Sequence, residues 1–197
     1  MFLFLTQLVF AESKDVTFSD ATGNLFVKVY KADTYGAALA HNHAIGATGW
    51  SGSASIDPAD PSTCKFSFSV PVNKLEADSP KFRKLAGIDD QGQPSESERK
   101  DITANMLADG QLNVSTFSTI SFESTSCTKD NIKGKFTLRG KTNDVSIPVA
   151  MNVGEKVSIK GQFDIKSTDY GFEAYSIMFG QIANQEKMTI VFDLTSN

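Results

Sequence analysis

Ile132-Lys133-Gly134-Lys135-Phe136-Thr137-Leu138 alternates without a break: Ile132, Gly134, Phe136 and Leu138 on one side, Lys133, Lys135 and Thr137 on the other. A period of two marks a half-buried strand, because successive side chains of an extended backbone point to opposite faces. Downstream, Gly140-Lys141-Thr142-Asn143 reads as a turn, after which Val145, Ile147, Val149 and Met151 alternate with Asp144, Ser146, Pro148 and Ala150. Beyond Gly154, Val157, Ile159, Gly161, Phe163 and Ile165 alternate with Lys156, Ser158, Lys160, Gln162, Asp164 and Lys166. Short connections between such runs make antiparallel neighbours with one wet and one buried face. Pro148 cannot donate to a ladder, so a bulge or an edge position is predicted there.

Working outward, Met188, Ile190, Phe192 and Leu194 form a closing strand. Less regular strands precede the opening stretch at Leu25–Lys31, His43–Ile56, Cys64–Val72 and Thr119–Cys127. The chain of 197 residues suffices for one all-β domain, 12–197, with a substantial core. Its 40% apolar and 21% charged residues exclude a disordered chain. Fifteen Phe against four Tyr and one Trp predict a bulky interior with few polar handles. The alternation leaves a barrel and a sandwich both open, and leaves open whether the centre is packed or hollow. A net charge of −4 with interspersed signs argues against a nucleic-acid partner.

One region breaks the pattern. Residues 73–110 are dense in charge and carry a helix signal: Ser95 as N-cap, Glu98 three residues on, then Ile102 and Met106 at i and i+4, with Asp109-Gly110 as the stop. An insertion this long among hairpins predicts a lid or rim element near one end, with an ornamental surface excursion as the alternative. The start of the chain, Met1–Ala11, is apolar and uncharged, and Val9-Phe10-Ala11 suits a cleavage site. It reads as a signal peptide or its remnant, which places the mature protein in the periplasm or outside the cell. An apolar first strand is the alternative. The stretch is far too short to span a bilayer, and no transmembrane segment is expected in the mature chain. Cys64 and Cys127 read as one structural disulfide or as two inert thiols. Cys127 is out of phase with Ile120 and Phe122, so a bond requires a bulge or a strand end.

Catalytic constellations are absent from the sequence: no nucleophile elbow, P-loop, Rossmann fingerprint or Cys-x-x-Cys occurs. No catalytic residue, metal ligand or covalent cofactor is expected, and the chain does not read as an enzyme. The one concentration of chemistry is His41-Asn42-His43, which holds both histidines. In an extended strand both imidazoles project from one face. Three readings stand: a structural or rim role, polar contact with a ligand, and a metal site. Two ring nitrogens fall short of the three or four ligands that zinc takes.

Several stretches, taken together, resemble the YceI-like family of exported, lipocalin-like, polyisoprenoid-binding proteins. Phe117-Ser118-Thr119-Ile120-Ser121-Phe122-Glu123-Ser124-Thr125 is similar to a family strand, with Ser118 where a proline is usual. Gly134–Val145 resembles the family hairpin, Asp169-Tyr170-Gly171 its D-[FY]-G element, and Met188–Leu194 its closing strand. His41-Asn42-His43 before Trp50-Ser51-Gly52, together with Arg99, Ile102 and Met106, looks like a subgroup with a His-x-His pair. The resemblance spans roughly Leu25–Leu194 and implies an eight-stranded antiparallel barrel around an apolar tunnel. Inward Gly134 and Gly161 are expected to leave space in it, against the bulk of the phenylalanines. The implied ligand is a long isoprenoid or quinone-type lipid, held or ferried in the interior. Its expected contacts are Phe66, Phe68, Ile120 and Phe122, then Phe136, Leu138, Val145 and Ile147, then Phe163, Ile165, Met188 and Ile190, with His41 and His43 as polar contacts. A homodimer is expected from the family and from symmetry statistics. A metal-dependent protein using His41 and His43, and an interaction module with a filled core, are the rival readings.

Overall fold

The computed structural model describes residues 13–57, 60–88 and 92–197; the expected leader, Met1–Ala11, lies outside them. The described residues form one all-antiparallel sheet of twelve strands, curled around a main core. The strands are β1 (Lys14–Ser19), β2 (Gly23–Lys31), β3 (His43–Ala47), β4 (Ser51–Ile56), β5 (Lys65–Pro71) and β6 (Leu75–Ala77), followed by β7 (Thr119–Cys127), β8 (Asn131–Leu138), β9 (Lys141–Val153), β10 (Val157–Lys166), β11 (Ser176–Ile177) and β12 (Ile182–Thr195). Their order is β1-β4-β5-β7-β8-β9-β10-β12-β2-β3-β6, with β11 on β12.

The count is twelve rather than eight because one expected strand is broken in two and three short strands, β1, β6 and β11, form where none was expected. The stretch 43–56 is interrupted at Thr48–Trp50, where Gly49 takes φ +61°, a left-handed conformation that favours glycine. The chain after Cys64 is interrupted by a 3-10 turn at Val72–Lys74, beyond which β6 pairs with β3. The predicted insertion at 73–110 therefore contains a strand. It also contains two helices: α1 (Pro80–Ala86) and α2 (Glu96–Leu107). At α2 the capping box forms as the sequence predicts: Ser95 Oγ accepts from the Glu98 N–H at 3.2 Å, and Glu98 Oε2 accepts from the Ser95 N–H at 2.7 Å.

In the opening stretch Ile132, Gly134, Phe136 and Leu138 are buried, while Lys133 and Lys135 are exposed. The β8–β9 turn is tighter than predicted: Arg139 and Gly140 alone make it, both at positive φ, and Lys141 already pairs with Leu138. Pro148 makes neither a bulge nor an edge strand. β9 pairs with β8 up to Pro148 and with β10 from Val149 onward, so the proline sits where β9 changes partners. Cys64 and Cys127 are bonded, with Cα atoms 5.8 Å apart. The register between β7 and β8 slips between Ser124 and Ser126, and this bulge turns Cys127 inward. Closing a loop of 63 residues stabilises the fold by about 4 kcal/mol in the chain-entropy account.

Gly134 and Gly161 leave no free space. A Cβ on Gly134 would lie 2.5 Å from the ring of Phe122, and one on Gly161 would lie 2.6 Å from that of Phe192. Gly52 holds the Phe68 ring in the same way, and on the outer side of β3 Gly46 receives Phe82 of α1. There Phe82 joins Phe26, Ala44, Ala86 and Ile88 in a second, smaller cluster that fixes α1 to the sheet.

Candidate functional site

The interior encloses two adjoining cavities that share Ile120, Phe136 and Ile190. The lower one, about 80 Å³, is lined by Leu25, Val70 and Ile132 and by a ring of aromatics, with Ser121 its one polar residue. The upper one, about 190 Å³, lies where Val27, Val29, Ile45, Leu138 and Ile165 meet Ile102 and Met106 of α2. Phe136 stands between them, edge-on to Phe163 and to Tyr170, each at 5.7 Å. Burial pushes the Tyr170 phenol above its ordinary range. No residue of α2 is fully buried. The helix is held by Thr103, whose Oγ1 accepts from the Ala77 N–H at 3.2 Å, and by Asn105, which donates to the Tyr175 hydroxyl at 3.4 Å.

Of the residues expected to meet a ligand, Phe66, Phe68, Phe122, Ile147 and Phe163 line the lower cavity. Leu138, Ile165, Met188 and His43 line the upper one, and Ile120, Phe136 and Ile190 line both. Val145 is half-buried but lines neither; it borders an outer groove with Asp144 and Gln162. His41 is exposed and lines neither cavity. The two imidazoles do not share a strand face, because β3 begins at His43. Among the described residues, no group of three or more His, Cys, Asp or Glu side chains could hold a metal ion.

His43 belongs to a polar network that its neighbours in sequence do not reveal. Its Nδ1 lies 2.6 Å from Oδ2 of Asp78, a residue with no solvent exposure. Oδ1 of Asp78 accepts from the Ala44 N–H at 2.9 Å and from Arg83 Nη1 at 3.1 Å. The Arg83 guanidinium, itself buried, donates further to the carbonyls of Asn42, Ile88 and Gly92. Burial raises the Asp78 pKa, but His43, the Ala44 N–H and Arg83 outweigh it and hold the carboxyl below its ordinary 3.8. Asp78 adopts φ +55°, a conformation uncommon for a side-chain-bearing residue, and these bonds hold it there. The charge pair comes from the segment of Asp78-Ser79-Pro80 and Gly87, where proline opens and a left-handed glycine closes α1. That asymmetry is the sequence signal for α1. Ser167, at the start of a 3-10 turn after β10, also lines the upper cavity; its hydroxyl is buried and has no partner among the described residues.

The hairpin β11–β12 projects beside the opening of this cavity, whose lining includes Tyr175 and Asn184. At its tip Met178 and Phe179 are exposed, and Tyr35 and Leu39 are exposed on the loop whose Gly36 N–H donates to the Gln181 carbonyl.

An antiparallel lipocalin-like barrel with an apolar interior and a helical cover defines a class of binding proteins rather than one chemistry. Within that class, residues 30–196 match the model of the YceI-like domain, and the chain belongs to the YceI-like family. Among solved structures it is similar to BcnA of Burkholderia cenocepacia, at 15% identity over 89% of this chain and 96% of that one, with a TM-score of 0.64. It is also similar to the YceI protein of Campylobacter jejuni, at 12% identity over 78% of this chain and 84% of that one, with a TM-score of 0.51. Identities this low establish a shared fold and nothing finer. No curated protein matches the chain.

Proposed function

We propose that this protein is an exported carrier that holds a long, apolar, isoprenoid-type lipid inside its barrel, without catalysing a reaction. The observation that carries the reading is the pair of adjoining apolar cavities, about 190 and 80 Å³, running end to end past Phe136. Taking β1–β2, β3–β4 and β5–β6 as single kinked staves makes eight staves in a ring, which suits a closed tunnel. A prenyl tail entering it gains about 0.8 kcal/mol per buried CH₂, less the cost of ordering the chain. The family is known for binding polyisoprenoid lipids, and the Cys64–Cys127 bond fits an oxidising compartment.

Mass spectrometry of an organic extract tests the reading, using protein purified from its native host and Met106→Trp beside it. A prenyl lipid in the wild-type extract and its loss from the variant are expected. A ligand-free wild type that takes up no added lipid would sink the proposal. The rival interaction module draws support from the exposed cluster of Tyr35, Leu39, Met178 and Phe179. Sedimentation of the wild type and Phe179→Asp decides whether that cluster joins two copies: a dimer abolished by the substitution favours the module, and an unaltered monomer removes self-association through this tip.

A further inference from the structure

Two polar atoms at the upper cavity have no hydrogen-bond partner among the described residues, and they are of complementary kind. The Asp78 carboxylate accepts but cannot donate, so the proton in the His43–Asp78 contact sits on Nδ1. In the neutral ring Nε2 is then a bare acceptor, and no hydrogen bond from a described residue reaches it; His43 lines the cavity with its side chain 18% exposed. Arg83 already balances the Asp78 charge, and the Ala44 N–H and Arg83 fix the carboxylate, so the imidazole is held in one orientation. Ser167 is independent of that network. Its Oγ is buried, lines the same cavity and lacks a partner among the described residues, a condition that is costly unless something in the cavity meets it.

We propose that the upper compartment is a head-group site selective for a lipid whose head carries a hydroxyl: an alcohol, a phenol or the reduced form of a quinone. His43 Nε2 accepts from that hydroxyl, and Ser167 Oγ donates to an oxygen of the same head. A head bearing only carbonyl or ether oxygens satisfies Ser167 and leaves Nε2 unpaired; a bare hydrocarbon satisfies neither. The tail runs past Phe136 into the lower compartment, so the proposal rests on the lipid-carrier reading and adds to it which end enters last and what chemistry that end has.

The test compares farnesol with farnesyl methyl ether, two probes of equal tail whose heads differ in the donor. Dissociation constants are measured by calorimetry on the full chain as wild type, Ser167→Ala and His43→Asn. Asparagine at position 43 keeps an N–H for Asp78 and removes the Nε2 acceptor. Wild type is expected to prefer the alcohol by about tenfold or more, the worth of one net hydrogen bond with its desolvation. In His43→Asn the affinity for the alcohol is expected to fall to that for the ether, and Ser167→Ala is expected to weaken both probes without lowering Tm. Equal binding of the two probes by wild type would overturn the head-group site while leaving the carrier reading intact. A preference for the alcohol that survives both substitutions would overturn the assignment of these residues. Binding of neither probe would remove the carrier reading and this inference together.

Discussion

The two ends of the barrel interior are built on opposite principles. At the lower end the chain spends glycine to admit aromatics: Gly134 admits Phe122, Gly52 admits Phe68 and Gly161 admits Phe192, and the Cys64–Cys127 bond ties β5 to β7 there. Little empty volume is left, about 80 Å³. At the upper end the sheet gives way to α2, which covers without being buried, and the wall carries a histidine, a serine and a buried ion pair behind it. One end is packed for stability and the other keeps its cavity and its unspent polar atoms. A protein can afford the second only by over-building the first.

Substitutions can break that division, beginning with the largest expected effect. Phe122→Ala empties the space over Gly134, and a loss of about 3–5 kcal/mol in urea unfolding is expected. Replacing Cys64 and Cys127 together by serine should cost about 4 kcal/mol by the same measurement. Gly161→Ala drives a methyl against the Phe192 ring and the Pro148 carbonyl, both 2.6 Å away, and about 1–3 kcal/mol of overpacking strain is expected. At the upper end Met106→Trp should change stability by less than about 1 kcal/mol, since Met106 is only half-buried and no residue of α2 is fully buried, yet its ring projects into the cavity and should abolish lipid uptake. A large loss of stability in Met106→Trp, or a negligible one in Phe122→Ala, would show that the two ends are not divided as described.

Acid sharpens the comparison, because the upper end holds the buried ionised network. The folded pKa of Asp78 lies below the unfolded one, so its contribution is present above the ordinary value of 3.8 and is lost as the pH falls through the depressed folded value. The stability difference between wild type and Asp78→Asn, read from urea titrations, should hold from neutral pH down to about 4 and shrink only below that.

What the sequence made legible follows from the range of the interactions involved. The β8 alternation, the α2 capping box and the need for a bulge before Cys127 are local, and each stands in the structure where the residues placed it. The glycines misled because the ring filling each gap belongs to a neighbouring strand or helix, and inward glycine alone does not say what lies opposite. His43 was visible as chemistry, but its partner Asp78 lies 35 residues away in an irregular link before a helix the periodicity did not show. Ser167 carried no signal at all: an unpartnered hydroxyl is a property of the assembled wall. The stretch 43–56 reads as one strand because apolar residues recur on both sides of Thr48–Trp50, where the kink at Gly49 resets the phase.

The shallow seating of α2 bears on time as well as on shape. Lifting a helix whose side chains are at most half-buried exposes little, so its amides should exchange with solvent well before those of β8. On the carrier proposal, departure of a cargo would then be governed by withdrawal of its tail past Phe136. Residence would lengthen with every isoprene unit the tail adds, and the helix would serve as a swinging door while the barrel keeps the clock.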